Sequence, residues 1–199
     1  MTEWNTEKTE PLIDSAINHT RRFSKDMGYV GFNYYIYWCG WQPYNFTGGQ
    51  LTYGDGSTSG GGKNYKTKLY YVFQRVWKSV DPGSKVRHVK NISGDPDLKG
   101  FDPNAMDMIA FNNSQKMVAL LTNPSGNDKN IELRGLEGKA AAIYLTTDQL
   151  DADDRAIQPV IGGKTNVFLP SHSIAVVVCD KTLSDDSVAP TTPAGLTVS

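Results

Sequence analysis

Residues Asn64–Val89 read NYKTKLYYVFQRVWKSVDPGSKVRHV and mark a change in the kind of structure that the chain forms. The first part of the stretch repeats apolar residues at three- and four-residue steps, which is typical of an amphipathic helix. The apolar residues of this pattern are Leu69, Val72, Phe73, Val76, Trp77 and Val80. Pro82 cannot continue a helix, and Gly83 permits a sharp exit. The stretch therefore predicts a helix over Asn64–Val80, followed by an alternating strand at Lys85–Val89.

The chain before this helix predicts alternating strands and helices. Met1–Trp4 reads as a strand end, and an amphipathic helix follows with Thr9 as its cap and Gly28 as its left-handed exit. The apolar face of that helix comprises Leu12, Ile13, Ala16, Ile17 and Phe23. Tyr29–Trp38 is apolar on both faces, as buried parallel strands are. This order is that of consecutive βα units.

The segment Cys39–Asn64 is rich in glycine and aromatic residues. Its glycines match neither a dinucleotide-binding nor a phosphate-binding pattern, because no strand–turn–helix context surrounds them. We expect a flexible surface loop here, of a length that often carries function.

The chain after Pro82 predicts short strands separated by turns, the spacing of an antiparallel β-sandwich. The predicted strands are Val86–Val89, Met106–Phe111, Met117–Asn123, Asn130–Leu133, Ala140–Thr146, Thr165–Leu169 and Ile174–Cys179. The acidic cluster Asp148–Asp154 is interpreted as a solvated turn, and Gly162–Lys164 as a tight turn. Beyond Asp180 the composition is that of a linker.

The composition excludes several classes of partner. The 199 residues carry a formal net charge of −1 with the two signs interspersed, which argues against nucleic acid or an anionic membrane as a partner. No apolar run reaches the length of a membrane span. No metal site is predicted, since the sequence lacks CxxC and His-x-x-x-His spacings, and no cofactor is expected. Cys39 and Cys179 could form a disulfide, although two buried free thiols are the favoured interpretation.

In this order and spacing, five pieces of the chain resemble the C-terminal part of glycoside hydrolase family 30. They are Met1–Trp4, Tyr37–Trp38, Lys68–Val86, Met108–Pro124 and Val167–Val176. The family comprises a (β/α)8 barrel fused to a β-sandwich. The resemblance implies an α+β chain that holds the last two βα units of such a barrel in residues 1–82, then an antiparallel β-sandwich in residues 83–181. Residues 182–199 are expected to form a linker and the start of a fibronectin type III-like module.

The resemblance also implies site residues. Glu3, in a Thr-Glu pair at a strand end, matches the nucleophile of the family, and Trp38 matches an aromatic residue that lines the sugar pocket. Trp41 and Trp4 are further candidates for stacking on sugar rings. Each tryptophan could instead be a core residue, an interpretation favoured for Trp4. Tyr70, Tyr71 and Trp77 are expected to join the barrel segment to the sandwich.

Retaining cleavage of a glycoside needs a nucleophilic carboxylate and a second carboxyl group as acid and base, about 5 Å apart. In the family the second group belongs to an Asn-Glu pair, and this sequence contains no Asn-Glu pair. We therefore expect the chain to be the C-terminal portion of a secreted retaining β-glycosidase that acts on polysaccharide or oligosaccharide, and to be inactive alone. The alternative is a non-catalytic module, either carbohydrate-binding or structural.

The strand at Tyr29–Trp38 generates a prediction about association. A strand that is apolar on both faces exposes an edge when its barrel neighbours are missing, and such edges pair with other chains. We expect the 199-residue chain to self-associate or to be poorly soluble, which light scattering on the purified chain would measure. A monodisperse monomer would contradict this expectation.

Overall fold

The computed structural model describes residues 12–28, 30–31, 40–42, 51–54, 62–87, 89 and 106–182. In these residues the chain is α+β, with most of its regular structure in strands. The helices are α1 (Leu12–Gly28) and α2 (Lys68–Ser79). The strands are β1 (Trp41–Gln42), β2 (Thr52–Gly54), β3 (Asn64–Lys66), β4 (Lys85–Arg87), β5 (Asp107–Asn112), β6 (Lys116–Asn123), β7 (Lys129–Arg134), β8 (Ala140–Thr146), β9 (Asp151–Pro159), β10 (Lys164–Leu169) and β11 (Ser173–Asp180). Within the described residues, neither α1 nor α2 combines the length and the apolar character that crossing a bilayer requires.

A six-stranded antiparallel sheet forms the middle of the fold, in the order β4-β5-β6-β11-β8-β9. The last described strand, β11, lies between β6 and β8, so that Val178 is opposite both Val118 and Ala142. A run such as Ile174–Val178, apolar at successive positions, is typical of a strand that is covered on both faces.

The two helices cover one face of this sheet. Ile174 and Val176 of β11 are buried on the helical side, where the ring of Phe23 meets that of Phe73 edge-on at 5.5 Å. This cluster comprises Ile13, Ala16, Ile17, Phe23, Leu69, Val72, Phe73, Val76, Ile109, Phe111, Val118, Leu120, Ile174 and Val176. The helices and the strands thus share one apolar core.

A two-stranded antiparallel sheet, β10-β7, covers the opposite face. Ala175 and Val177, which alternate with the residues that face the helices, are buried on this side. This second cluster comprises Leu121, Leu133, Ala141, Ile143, Val167, Leu169, Ala175, Val177 and Cys179. Strand β10 alternates exposed and buried residues, as a half-covered strand does. The predicted turn at Gly162 and Gly163, both at positive φ, carries the chain from the central sheet into β10.

Helix α2 is shorter than the helix that the sequence pattern predicts over Asn64–Val80. It begins at Lys68, because Asn64–Lys66 pairs with β2 as a strand and Thr67 caps the helix by accepting a bond of 3.2 Å from the Tyr70 N–H. The prediction that Trp77 belongs to the buried face is wrong. Its side chain is 55% exposed and stacks on the ring of Phe73, 5.3 Å away.

Two more predictions in the first third of the chain are corrected. Gly28 is the last residue of α1 and not a left-handed exit, which is instead found at Gly31 with a φ of 75°. The segment Cys39–Asn64 is not wholly loop, because β1 and β2 pair in parallel and β3 joins β2 from the other side. The predictions for Met1–Trp4, Thr9 and most of Tyr29–Trp38 lie outside the described residues.

The predicted solvated turn at Asp148–Asp154 is wrong, since strand β9 begins at Asp151. The carboxylate of Asp151 accepts a bond of 2.7 Å from the Lys68 Nζ of α2. The next residue, Ala152, is buried with a φ of 59°, and its carbonyl accepts a bond of 3.3 Å from the Arg75 Nη2. The guanidinium of Arg75 also lies over the ring of Tyr144, 3.9 Å from its centroid. Cations on α2 therefore hold an acidic segment that looks solvated in the sequence.

One buried ion pair fixes α1 on the sheet. Arg21 Nε donates to Asp107 Oδ2 of β5 over 2.5 Å, and both residues are buried. The preceding residue of the helix, Thr20, makes a second contact with the sheet, because its hydroxyl accepts a bond of 3.1 Å from the Thr122 hydroxyl of β6. Buried charges need such partners, because leaving water costs each ion several kcal/mol.

The variant Asp107→Ala is expected to lower the free energy of unfolding by about 3–5 kcal/mol, because it leaves a buried guanidinium without its carboxylate. Urea unfolding followed by circular dichroism measures this change. The matched control is Asp26→Ala, which removes the pair with Arg22, whose side chain is 44% exposed (2.8 Å, four residues apart on the same helix). The control should cost no more than about 0.5 kcal/mol. Equal losses in the two variants would contradict this account of α1.

Candidate functional site

Of the four predicted site residues, only Trp41 lies in the described part of the chain. Glu3, Trp4 and Trp38 fall outside it, so their roles stay predictions. Trp41 is in the edge strand β1, and its side chain is 55% exposed. The interpretation of this tryptophan as a core residue is therefore excluded.

The three-stranded sheet β1-β2-β3 presents Trp41 to solvent. Thr52 of β2 is opposite Trp41 on one side and opposite Lys66 on the other. Because residues that pair across a sheet share a face and alternate residues along a strand do too, these three lie on the same face as Gly54 and Asn64. This face is called the Trp41 face below. Thr67 ties the sheet to the body of the protein, since both its N–H and its hydroxyl bond to the Leu51 carbonyl, over 3.0 and 3.1 Å.

The indole of Trp41 has a defined orientation. Its Nε1 donates a hydrogen bond of 3.0 Å to Oδ1 of Asn64, on the far strand of the sheet. An indole N–H can only donate, so the amide oxygen of Asn64 is the atom that satisfies it. No periodicity predicts this contact, because the residues are 23 positions apart and lie on strands that the sequence does not indicate.

Further aromatic side chains surround this sheet. Tyr53 and Tyr65, opposite each other on β2 and β3, stack at 5.2 Å on the face opposite to the Trp41 face. Lys66 extends its ammonium group over the rings of Tyr70 and Tyr71 on α2, at 4.8 and 5.7 Å. Unlike Trp77, Tyr70 and Tyr71 are half-buried. The high aromatic content of the segment is the only sequence signal that points to this arrangement.

Two titratable side chains, His19 and Cys179, are buried in the body of the protein. Burial lowers the pKa of His19, against a smaller opposite effect of its hydrogen bond to the Ser15 carbonyl. Burial raises the pKa of the Cys179 thiol, which is free, so the predicted disulfide alternative is excluded for this residue. Cys39 lies outside the described residues. Among the residues that the structure describes, no group of three or more histidine, cysteine or acidic side chains could hold a metal ion.

Solved structures of glycoside hydrolases share this fold. The chain is similar to a GH30 endoxylanase from Clostridium papyrosolvens C71, with a TM-score of 0.67 and 21% identity over 90% of this chain and 41% of that one. It is similar to the family 30 subfamily 8 xylanase Xyn30A from Clostridium acetobutylicum, with a TM-score of 0.66 and 18% identity over 90% of this chain and 42% of that one. A conserved exported protein from Bacteroides fragilis gives a TM-score of 0.71 and 19% identity over 89% of this chain and 37% of that one.

The resemblance to glycoside hydrolase family 30 predicted from the sequence is thus confirmed at the level of the fold. Comparisons with protein-family models and with curated proteins gave no match. The chain spans about two fifths of the length of the solved proteins that it resembles.

The state of Cys179 gives a prediction. In a Cys39→Ser variant the only remaining thiol is buried and has a raised pKa, so little thiolate is available to react. We expect Ellman's reagent at pH 8 to leave this variant unlabelled for as long as it is folded, and to label one thiol per chain in guanidinium. Rapid labelling of the folded variant would contradict the burial of Cys179.

Proposed function

We propose that the chain is the C-terminal portion of a retaining β-glycosidase that acts on a β-linked polysaccharide such as xylan. The observation that supports this most is the shared fold with an endoxylanase over 90% of the chain, which covers 41% of the enzyme. The Thr2-Glu3 pair, at the position where family 30 enzymes have their nucleophile, adds the chemical group that such a reaction requires.

In this proposal Glu3 attacks the anomeric carbon, and a glycosyl–enzyme ester forms as the glycosidic bond breaks. A second carboxyl group gives its proton to the leaving oxygen and then takes one from the water that hydrolyses the ester. The family supplies this group from an Asn-Glu pair that the 199 residues lack. Hence the chain alone holds one of the two carboxyl groups and does not turn over substrate.

The proposed domain assignment follows the same reasoning. Residues 1–82, which include α1 and α2, correspond to the end of the (β/α)8 barrel, and residues 83–181, which include β4 to β11, correspond to the β-sandwich. Residues 182–199 correspond to a linker and the start of a fibronectin type III-like module. The two sheets on either side of the second apolar cluster support the sandwich assignment.

The tryptophans provide the proposed sugar contacts. Trp41 has the required exposure, and Trp38 and Trp4 are assigned by the resemblance alone. Polysaccharides of this kind lie outside the cell, so we propose that the whole enzyme is secreted. Its partners are then polysaccharide or oligosaccharide.

A structural role is a second function that one observation favours. Leu69, Val72, Phe73 and Val76 of α2 are buried against the six-stranded sheet. In a complete enzyme this packing would join the barrel to the sandwich, so the C-terminal strands would serve as a brace. The brace and the catalytic role of Glu3 are compatible in one enzyme.

The first test is activity. The purified 199-residue chain is expected to release no sugar above the buffer blank from xylan, β-glucan or aryl β-glycosides. The product of the reading frame that contains these residues, with any coding sequence upstream, is expected to cleave β-linked xylan with retention of configuration. Turnover by the 199 residues that Glu3→Gln abolishes would overturn the proposed inactivity.

The second test concerns Glu3 in that longer product. Glu3→Gln is expected to lower kcat more than about a thousandfold, as loss of a catalytic nucleophile does. With Glu3→Gly, azide should replace the missing carboxylate and give the α-glycosyl azide from an aryl β-xyloside. The matched control is Glu10→Gln, a change of the same kind a few residues further along the chain. A β-configured azide, or a Glu3→Gln variant as active as the control, would refute the assignment.

A further inference from the structure

An open cleft lies at the corner where the chain passes from β9 to β10. It has a volume of about 250 Å³, and its lining includes Glu132, Gln158, Ile161, Lys164, Thr165 and Asn166. All of these residues belong to the part of the chain that is assigned to the sandwich. Pockets for drug-sized ligands measure about 300–1,000 Å³, so a cleft of this size admits one small ring.

Backbone hydrogen bonds hold the walls of this cleft in place. The turn at Gly162 and Gly163 is closed by the residues on either side of it, since Ile161 and Lys164 exchange N–H···O bonds of 2.9 and 3.1 Å. The Gly163 carbonyl also accepts a bond of 3.0 Å from the Leu136 N–H, which ties the turn to the residues that follow β7. The cleft is therefore preorganised, so a ligand does not have to order the turn when it binds.

The side chains of the cleft offer donors and acceptors without a net charge. Glu132 Oε1 accepts a bond of 2.5 Å from Arg134 Nε and lies 4.0 Å from Lys164 Nζ. The second distance is too long for a hydrogen bond, so the ammonium group can donate to a ligand. Gln158 and Asn166 add two amides, each of which donates and accepts. Because the carboxylate and the ammonium group cancel in charge, the cleft favours a neutral ligand whose groups also donate and accept, as hydroxyls do.

Two further observations indicate a hydroxylated ring. Ile161 is 75% exposed beside the polar groups, so it presents an apolar surface that the C–H groups of a ligand can cover. Thr165 is buried, and its hydroxyl has no hydrogen-bond partner in the described part of the chain. Buried hydroxyls without a partner are rare in proteins, and a polar molecule bound in the cleft that Thr165 lines would supply one.

We propose that this cleft binds one neutral sugar ring, the terminal unit of a polysaccharide chain. A sugar ring combines hydroxyl groups with a C–H surface, which matches the amides and charged groups of the cleft on one side and Ile161 on the other. The inference goes beyond the proposed function, because it gives the sandwich a part in holding the substrate. Only the choice of xylose as the sugar rests on the proposed function.

The experiment uses the 199-residue chain and a methyl β-xyloside that carries a diazirine, which attaches to neighbouring residues on irradiation. Trypsin cuts after Arg155, Lys164 and Lys181, so the β9–β10 side of the cleft falls in the peptides 156–164 and 165–181. We expect labelling of these peptides to saturate at millimolar concentrations of the probe, as is usual for so small a ligand, and to be displaced by unlabelled methyl β-xyloside. Absence of saturable labelling in both peptides overturns the inference.

The length of the sugar gives a second readout. Since one ring enters the cleft, xylohexaose should displace the probe at a concentration within about threefold of that required for methyl β-xyloside. An advantage of about tenfold or more for xylohexaose would refute a single-ring site.

Variants connect the labelling to the side chains of the cleft. Asn166→Ala is expected to weaken binding of the probe about three- to tenfold through the loss of hydrogen bonds, and Ile161→Ser about as much through the loss of apolar contact. The matched control is Asn130→Ala, an exposed asparagine of β7 outside the lining of the cleft, which should bind as the unaltered chain does. Circular dichroism checks that each variant is folded. If Asn166→Ala and Ile161→Ser both bind the probe as the control does, the site is refuted.

The outcomes for the cleft and for the proposed function are independent. The activity of the longer product decides the proposed function, because none of its proposed catalytic groups lines the cleft. Saturable labelling by the matching glucoside probe but not by the xyloside would support the sugar site and contradict xylose as its ligand. Labelling by neither probe would refute the site even if the longer product cleaves xylan.

Discussion

The structure depends on the burial of β11 from both sides. Ile174 and Val176 face the helices, and Ala175 and Val177 face the two-stranded sheet, so a single strand contributes to both apolar clusters. A strand that is covered in this way must have partners on each face, and α1, α2, β7 and β10 are arranged to provide them. Because β11 is also the last described strand, the central sheet is complete only when the end of this region has been added between β6 and β8.

Much of this arrangement is readable from the sequence, because it rests on local periodicity. The buried face of α2 follows the three- and four-residue steps of Leu69 to Val76, and seven of the eight described strands after Pro82 coincide with short apolar or alternating runs bounded by turn residues. Both signals come from residues close together in the chain. These signals can therefore be recognised without knowing which residues pack against the helix or the strands.

The predictions for β9 and Trp77 are wrong for one physical reason, which is contact between parts of the chain that are far apart in sequence. Strand β9 carries aspartates that indicate a turn, yet Lys68 of α2 pairs with Asp151 and Arg75 bonds to the Ala152 carbonyl, so α2 holds its first residues. Trp77 fits the apolar pattern of α2 but lies at the edge of the contact, where its ring stacks on Phe73 and stays in solvent. The same limit applies to the site. The sequence and its resemblance point to Trp41, whereas its hydrogen bond to Asn64 is recognised only when the strands are paired.

The hydrogen bond from Arg75 to the Ala152 carbonyl limits which segments of the chain can be exchanged between relatives. A residue with a Cβ in a left-handed backbone conformation is retained only when its surroundings over-determine it. Here those surroundings include Arg75, which sits on a helix whose other side fills the core. Transplanting α2 from a distant homologue would thus release the corner between β8 and β9, even if every core side chain were matched. Recombination between relatives should therefore be tolerated better when α2 and the β8–β9 corner come from the same parent than when they come from different parents.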